Sequence, residues 1–180
     1  LLSSMLFAHD FFLYPSAFRA NDKEKVKITI HVDDLFPGKA VKWNPERVLR
    51  FEHRVGSMTR DKIKTPPERD SSGVFVSVDG SGINMFALDW APRLIELHPE
   101  QFRHYLVSEG LDHILQTRKE RGEEAKNGRE RYSRYVKTLV STAAENTQAL
   151  SKVVGQTIEL VPLDNPCSIP AGDSVRMQLL

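Results

Sequence analysis

Strict alternation of apolar and polar side chains constrains the fold of this chain more than any other feature. It is clearest from Lys25 to Asp33, where every second residue is apolar. These residues are Val26, Ile28, Ile30 and Val32. A period of two with one apolar face is typical of a half-buried β-strand, because successive side chains of a strand point to opposite faces. A second run, Val48 to Val55, repeats the pattern, so the sequence predicts sheets that bury one face.

Turn residues separate further strand patterns along the chain. Residues 73–79 and 83–90 flank a Gly-Ser-Gly turn, and the two segments together predict a β-hairpin. The charged residues 59–73 contain two adjacent prolines and predict a loop. Near the end, residues 156–161 and 174–180 predict two more strands, on either side of a segment rich in proline.

The hydrophobic period becomes helical in the second half of the chain. Pro99 lies at a first helical position, and Gly110 lies where that helix should stop. A second short helix is predicted over residues 112–121, and Gly122 follows it. Together these signals predict a helical insertion around residues 98–122 of an otherwise β chain.

The complete pattern predicts a mainly β fold. Several short strands joined by turns are typical of an antiparallel β-sandwich, of immunoglobulin-like or transthyretin-like kind. Residues 131–142 fit both periods, and we expect a helical start and an extended end there. Residues 9–180 are long enough for a single such domain, with a core that needs no disulfide.

The first eight residues, LLSSMLFA, predict export from the cytoplasm. They are apolar or small, as expected for the remnant of a signal peptide that is cut after Ala8. Leu6 is larger than the residue usual at its distance from such a cut, and a buried first strand is the alternative. At the other end the chain stops within a predicted strand, which favours truncation at the C-terminus. No stretch reaches the roughly 18 consecutive apolar residues of a membrane span.

Charge balance and cysteine content exclude several classes of function. Lys and Arg number 25 against 24 Asp and Glu, which gives a formal net charge of +1. Since the chain has no basic field to attract phosphates, we expect no nucleic-acid binding. Cys167 is the single cysteine, which excludes an internal disulfide and a four-cysteine zinc site. No serine lies in a nucleophile-elbow pattern, and we expect no enzymatic activity.

Several longer runs resemble one bacterial family. They are HDFFLYPSAFRA, HVDDLFPGKAV, PERVLRF, IELHPEQFRHYLVSEGLDHIL, RERYSRYVKTLV, IELVPLDNP and IPAGDSVRMQLL, which together extend from His9 to Leu180. The family consists of secreted or periplasmic proteins with a domain of unknown function. Its members are often labelled the periplasmic component of a nickel or cobalt transport system. The resemblance implies periplasmic localisation, a divalent transition metal and an inner-membrane metal transporter as partner.

The metal that the resemblance implies points first to His9. If processing ends at Ala8, His9 becomes the mature N-terminus and offers its α-amine and a ring nitrogen to one ion. A second histidine would complete a three-nitrogen set, which suits nickel or copper. Asp10 can orient the ring of His9 as a hydrogen-bond acceptor. The other ligand candidates are His31, His53 and His98, and sequence spacing does not choose between them. Their structural alternatives are a surface histidine, a hydrogen-bonded core histidine and a helix cap, respectively.

A basic cluster is the candidate partner surface. It comprises Arg129, Arg131, Arg134 and Lys137. Such a cluster can contact an anion, a carbohydrate or the transporter, and ion pairs that brace the helical insertion are the alternative. The sequence therefore favours a non-enzymatic, periplasmic metal-binding or accessory protein linked to nickel or cobalt uptake. The alternative is a structural or carbohydrate-contacting β-sandwich module of the cell envelope without metal.

Overall fold

The computed structural model describes residues 10–67, 72–80, 82–142 and 146–180. The predictions for residues 1–8 and for the side chain of His9 lie outside these described residues. In chain order the elements are β1 (Asp10–Pro15), β2 (Lys25–Asp33), β3 (Lys39–Val41), β4 (Val48–Val55), β5 (Met58–Asp61), β6 (Gly73–Ser77), β7 (Ile83–Leu97), α1 (Pro99–Ser108), α2 (Asp112–Glu120), β8 (Gly128–Ser141), β9 (Leu160–Pro162) and β10 (Met177–Leu179).

Two four-stranded antiparallel sheets form the body of the protein. In the first sheet, β2 pairs with β1 and also with β3 and β6. The second sheet has the order β5-β4-β7-β8. Apolar side chains from both sheets meet in one buried cluster, so the sheets pack face to face. The predicted antiparallel β-sandwich is confirmed.

The apolar side chains of the alternating runs are buried in the core, as the pattern predicts. Val26, Ile28 and Ile30 of β2 are completely buried. Phe51 of β4 and Trp90 of β7 pack into the same cluster from the second sheet. Each such side chain contributes about 1.5–3 kcal/mol by leaving water, which makes the alternation decisive for the fold.

The predicted β-hairpin of residues 73–79 and 83–90 is wrong, because its strands belong to different sheets. β6 pairs with β2, whereas β7 pairs with β4 and β8. Asn84 fixes the connection that crosses between the sheets. Its Nδ2 donates to the carbonyls of Asp79 (2.8 Å) and Gly82 (3.1 Å). The strands on either side of residues 80–82 find partners that are distant in sequence.

The predicted helical start of residues 131–142 is also wrong, because β8 is extended from Gly128 to Ser141. Its apolar residues divide between the two faces of the sheet: Val136 packs on the core, and Leu139 packs on the opposite face. β4 pairs with β7 only as far as Trp90. Beyond that point β7 and β8 continue together as a two-stranded ribbon.

The helical insertion lies between β7 and β8 and is confirmed. Gly110 and Gly122 follow the two helices with φ of 67° and 62°, a conformation that glycine adopts readily at helix ends. α1 buries Phe102 and Leu106 against Leu97 near the end of the ribbon. This small core is separate from that of the sandwich.

Three smaller features complete the fold. The predicted loop 59–73 contains part of β5, which pairs with β4. The predicted strands 156–161 and 174–180 are shorter than expected, and they pair with each other as β9 and β10. Among the helices of the described ranges, neither has the length and apolar character needed to cross a membrane.

Candidate functional site

A groove of about 1040 Å³ lies along the side of the sandwich where β1 and β8 are the edge strands of the two sheets. Backbone hydrogen bonds connect Ser141 of β8 to the chain that follows β1. The N–H of Ser141 donates to the carbonyl of Phe18 (2.9 Å). The carbonyl of Ser141 accepts from the N–H of Ala20 (3.0 Å). The groove is lined by residues 11–36, by β8, by residues 156–179 and by Met85 of β7.

One wall of the groove is aromatic and consists of Phe12, Phe18 and Phe36. Phe12 and Phe36 meet edge to face, with ring centroids 5.4 Å apart. The ring of Tyr14 lies 5.7 Å from both Phe18 and Phe36 and links them. Phe18 is 46% exposed and Phe36 is 62% exposed, so these rings present an open apolar surface.

The opposite wall is aliphatic. It is formed by side chains of β9 and β10 and of the residues just before β9, and these are Ile158, Leu160, Met177 and Leu179. All four are exposed. Since β9 pairs with β10, with Leu160 opposite Leu179, the wall is a small hairpin of its own.

Within this wall Glu159 is buried and its apolar neighbours are exposed, which is the reverse of what alternation predicts. Its side chain is buried, whereas Ile158 and Leu160 on either side are 56% and 57% exposed. The carboxylate accepts a hydrogen bond from Nζ of Lys137 (2.5 Å). It also accepts three from the backbone N–H groups of residues 154–156, at 2.7–3.1 Å. We call this carboxylate with its four donors the Glu159 latch.

The donors of the latch keep the Glu159 carboxyl ionised. Burial alone would raise its pKa, but the Lys137 ammonium and the three N–H groups outweigh burial and lower the pKa to about 2. Nζ of Lys137 also donates to the carbonyl of Leu160 (2.9 Å). The latch therefore holds the segment against β8 and turns its apolar side chains toward the groove.

A second network anchors the same segment on the outer face of the second sheet. Arg50 and Asp89 form an ion pair, with Nε and Oδ2 3.0 Å apart. Arg50 also donates to the carbonyl of Val154 (2.8 Å), and Gln156 donates to Oδ1 of Asp89 (2.8 Å). The position of the aliphatic wall thus depends on two sets of polar contacts, both outside the wall itself.

His31, a predicted metal ligand, lies on the outer face of the first sheet beside the aromatic wall. Its ring centroid is 4.8 Å from that of Tyr14. Nδ1 donates to the carbonyl of Pro37 (2.8 Å), and Nε2 lies 2.9 Å from the hydroxyl of Thr29. Both nitrogens are engaged within the protein, so a metal would have to replace the Thr29 contact.

His53 occupies a core position and stacks on Phe86, with centroids 4.6 Å apart. Because Nδ2 of Asn84 serves two backbone carbonyls, its Oδ1 must accept, and Nε2 of His53 donates to it (2.7 Å). Burial lowers the pKa of the imidazole, which keeps the ring neutral. Nδ1 therefore carries a lone pair, and none of the described groups is its hydrogen-bond partner.

The remaining predicted metal residues lie at element ends. His98 is exposed just before α1 and makes no side-chain cap. Asp10 begins β1 and lies opposite Asp33 of β2. Within the described ranges, no three histidine, cysteine, aspartate or glutamate side chains come close enough to hold one metal ion. The predicted metal role of His9, His31, His53 and His98 stays a prediction.

The predicted basic cluster divides into two environments. Arg129 and Arg131 are exposed on the ribbon. Arg134 lies over an aromatic ring, with its Cζ 4.6 Å from the centroid of Tyr132. Lys137 instead has its ammonium bound inside the latch. Arg129 and Arg131 are therefore exposed and Arg134 is half-buried, whereas Lys137 is already paired with Glu159.

Cys167 lines the groove but is poorly suited to nucleophilic chemistry. Burial raises the pKa of its thiol, against the opposing effect of the nearby Arg19 guanidinium. The thiolate, which is the reactive form, is therefore scarce at neutral pH. The contribution of Cys167 to the groove is packing and a backbone carbonyl, which accepts from Arg19 (2.8 Å).

The groove itself was not predicted from the sequence. Its walls come from segments more than a hundred residues apart, and no local motif connects them. The one available signal was residues 158–160, where a glutamate stands between two large apolar residues. Alternation alone predicts that such a glutamate is exposed, whereas Lys137 and three backbone N–H groups stabilise it in a buried position.

Comparisons with known proteins identify the family. A family model described as a domain of unknown function, DUF4198, matches residues 6–180. No curated protein and no solved structure matches the chain significantly. The matched range includes both sheets, the helical insertion and the groove. The chain therefore belongs to the DUF4198 family of domains of unknown function.

Proposed function

We propose that the protein is a non-enzymatic binding module of the bacterial cell envelope, and that its ligand places an apolar chain in the groove. One observation carries this proposal: large, exposed apolar side chains converge on a single cavity. They are Phe18, Phe36, Ile158, Leu160, Met177 and Leu179. Contiguous exposed apolar surface beside a cavity is typical of a ligand-binding site.

The polar groups of the groove favour an apolar or amphipathic ligand over a sugar. A sugar ring can stack on the aromatic wall, but its hydroxyls need polar side chains that are free to bond. Lys137 and Glu159 are already bound to each other. Arg19 donates one N–H to the Cys167 carbonyl and keeps further donors for an anionic group. A long-chain carboxylate combines both features.

The test uses dodecanoate as the probe, with displacement of a fluorescent naphthalene sulfonate dye as the readout. Changing Ile158→Asp should weaken dodecanoate binding about tenfold or more, because burial of such a side chain contributes about 1.5–3 kcal/mol. Leu94→Asp is the matched control, because Leu94 is exposed on the ribbon and does not line the groove. Melting curves of both variants check that the fold survives.

Equal affinity of the two variants for dodecanoate would reject the groove as the site. Dodecanol tests the role of the anionic group. Arg19→Gln should weaken binding of dodecanoate and leave binding of dodecanol unchanged, because only the carboxylate can pair with the guanidinium.

Handling of nickel or cobalt for an inner-membrane transporter is a second candidate function, in the periplasm. It is supported by the family resemblance that begins at His9 and by the pair Asp10 and Asp33. These carboxylates are direct cross-strand neighbours at the end of β1 that follows His9. Like charges in such a pair repel, and a bound cation would relieve the repulsion.

The metal proposal is tested by titration of the mature chain with nickel, cobalt and copper. His9→Ala should abolish tight binding and leave the melting curve of the metal-free protein unchanged. His104→Ala, on the exposed face of α1, is the control. Unaltered affinity in His9→Ala would end this proposal without affecting the groove.

A further inference from the structure

Among the residues that the structure describes, no carboxylate forms an ion pair with the three arginines of β8. Arg129 and Arg131 are exposed on the ribbon. The guanidinium of Arg134 lies over two rings, with Cζ 5.1 Å from the centroid of Phe11 and 4.6 Å from that of Tyr132. The ion pairs within the described part of the chain involve other cations. We call Arg129, Arg131 and Arg134 the arginine edge.

β8 also has an unpaired backbone edge beside these arginines. Ser141 turns its N–H and C=O away from β7, toward the chain that follows β1. Backbone groups of an antiparallel strand alternate in direction, so Ser133, Arg131 and Arg129 turn theirs away from β7 as well. No hydrogen bond from the described residues reaches these outward groups.

The position of the arginines matches this edge. Alternation places Arg129 and Arg131 on one face of β8 and Arg134 on the other. A strand added along the edge would direct its own side chains to both faces, so carboxylates on both faces would meet guanidinium groups. Arg134 is held over its rings, with its N–H fork available for a bidentate contact.

We infer that the arginine edge binds an extended, acidic segment of a partner protein by strand addition to β8. A polypeptide satisfies both features, because it supplies carboxylates and a ladder of N–H and C=O groups. An anionic polysaccharide matches the charge alone. The surface lies outside the groove, which uses residues 135–139 of the same strand.

A short peptide with the repeat Glu-Glu-Thr-Thr, which places glutamates on both faces of a strand, serves as the probe, with binding to the full chain measured by calorimetry. Arg131→Glu should weaken binding about tenfold, because the reversal replaces attraction with repulsion at the interface. The matched reversal Lys64→Glu, at an exposed loop position, should leave the affinity unchanged. Methylation of alternate peptide amides should abolish binding, because it preserves every charge and removes the backbone donors.

Three results would overturn the inference. The first is equal binding of the methylated and unmethylated peptides, which would show that strand addition is absent. The second is an equal effect of Arg131→Glu and Lys64→Glu. The third is failure of the peptide to bind while heparin binds and loses affinity in Arg131→Glu, which would assign the arginine edge to a polysaccharide.

Discussion

Removal of the charge of Glu159 should destabilise the protein strongly, although the change is nearly isosteric. Glu159→Gln keeps the shape of the side chain and one acceptor oxygen. It leaves the Lys137 ammonium, whose side chain is 11% exposed, without a counter-charge. Uncompensated charges that are shielded from water are costly, so the effect should exceed that of an ordinary surface change.

The size of the effect follows from the pKa of the carboxyl. That pKa is about 2 in the folded chain, against an ordinary value of 4.5. At about 1.4 kcal/mol per pKa unit, the difference corresponds to about 3 kcal/mol of stability at neutral pH. For a domain of this size the melting temperature should fall by about 6–12 °C.

The pKa of Glu159 also determines the pH range in which Glu159→Gln lowers the stability of the protein. Because the folded carboxyl stays ionised to lower pH than the unfolded one, the latch contributes fully above pH 4.5 and loses its contribution as pH falls toward 2. Urea unfolding of the wild type and Glu159→Gln should therefore differ by about 3 kcal/mol at pH 7, and by about 1 kcal/mol at pH 3.

Glu46→Gln is the matched control, because Glu46 is exposed and takes no part in the latch. We expect it to lie within about 0.5 kcal/mol of the wild type at pH 7. A Glu159→Gln variant as stable as this control would contradict the stabilising role of the latch. An equal difference between wild type and Glu159→Gln at pH 3 and pH 7 would contradict the lowered pKa of the carboxyl.

Two further predictions concern other parts of the fold. Stability should fall as pH drops below 6.5, because burial lowers the pKa of His53 and the unfolded chain binds a proton that the folded chain excludes. His53→Leu should flatten this slope in unfolding titrations, and an unchanged slope would contradict the assignment. Gly128→Ala should cost about 1–3 kcal/mol, because the new Cβ would collide with the ring of Phe102. Hydrogen exchange should then accelerate in α1 and α2 but not in β2, whereas unchanged exchange in the helices would refute the close packing.

Local patterns in the sequence were sufficient to predict many elements but not their partners. Alternation identified β2 and β4 because most of their apolar side chains face the core, although Leu49 is exposed where the pairing of β4 with β7 is irregular. It did not place β6 beside β2, a pairing that depends on Gly73. A Cβ at that position would collide with the carbonyl of Ile28, so glycine allows the two backbones to approach. Such a contact joins residues far apart in the chain, and turn chemistry next to β6 carries no information about it.

The candidate site was less predictable than the fold, for a related reason. The sequence groups Arg129, Arg131, Arg134 and Lys137 as one basic cluster, and the partner role of that cluster stays a prediction. Lys137 was grouped with them by sequence alone. Its partner Glu159 lies 22 residues later, and that long-range pair removes Lys137 from the surface. Charge patterns locate surfaces well, but they do not reveal which charges the fold pairs in its interior.

The Glu159 latch also couples the stability of the C-terminal segment to the shape of the groove. Backbone hydrogen bonds between Glu159 and Leu180 continue the β9–β10 pairing to residue 159, so the buried side chain of Glu159 places that of Leu160 on the opposite, exposed face, and Ile158 is exposed as well. Without the carboxylate, simple hydrophobic burial favours the opposite orientation, which would remove the aliphatic wall. Glu159→Gln should therefore weaken dodecanoate binding under conditions where the variant remains folded. Wild-type affinity in that variant would show that the wall keeps its orientation without the latch, and that the second network through Arg50 and Gln156 is sufficient.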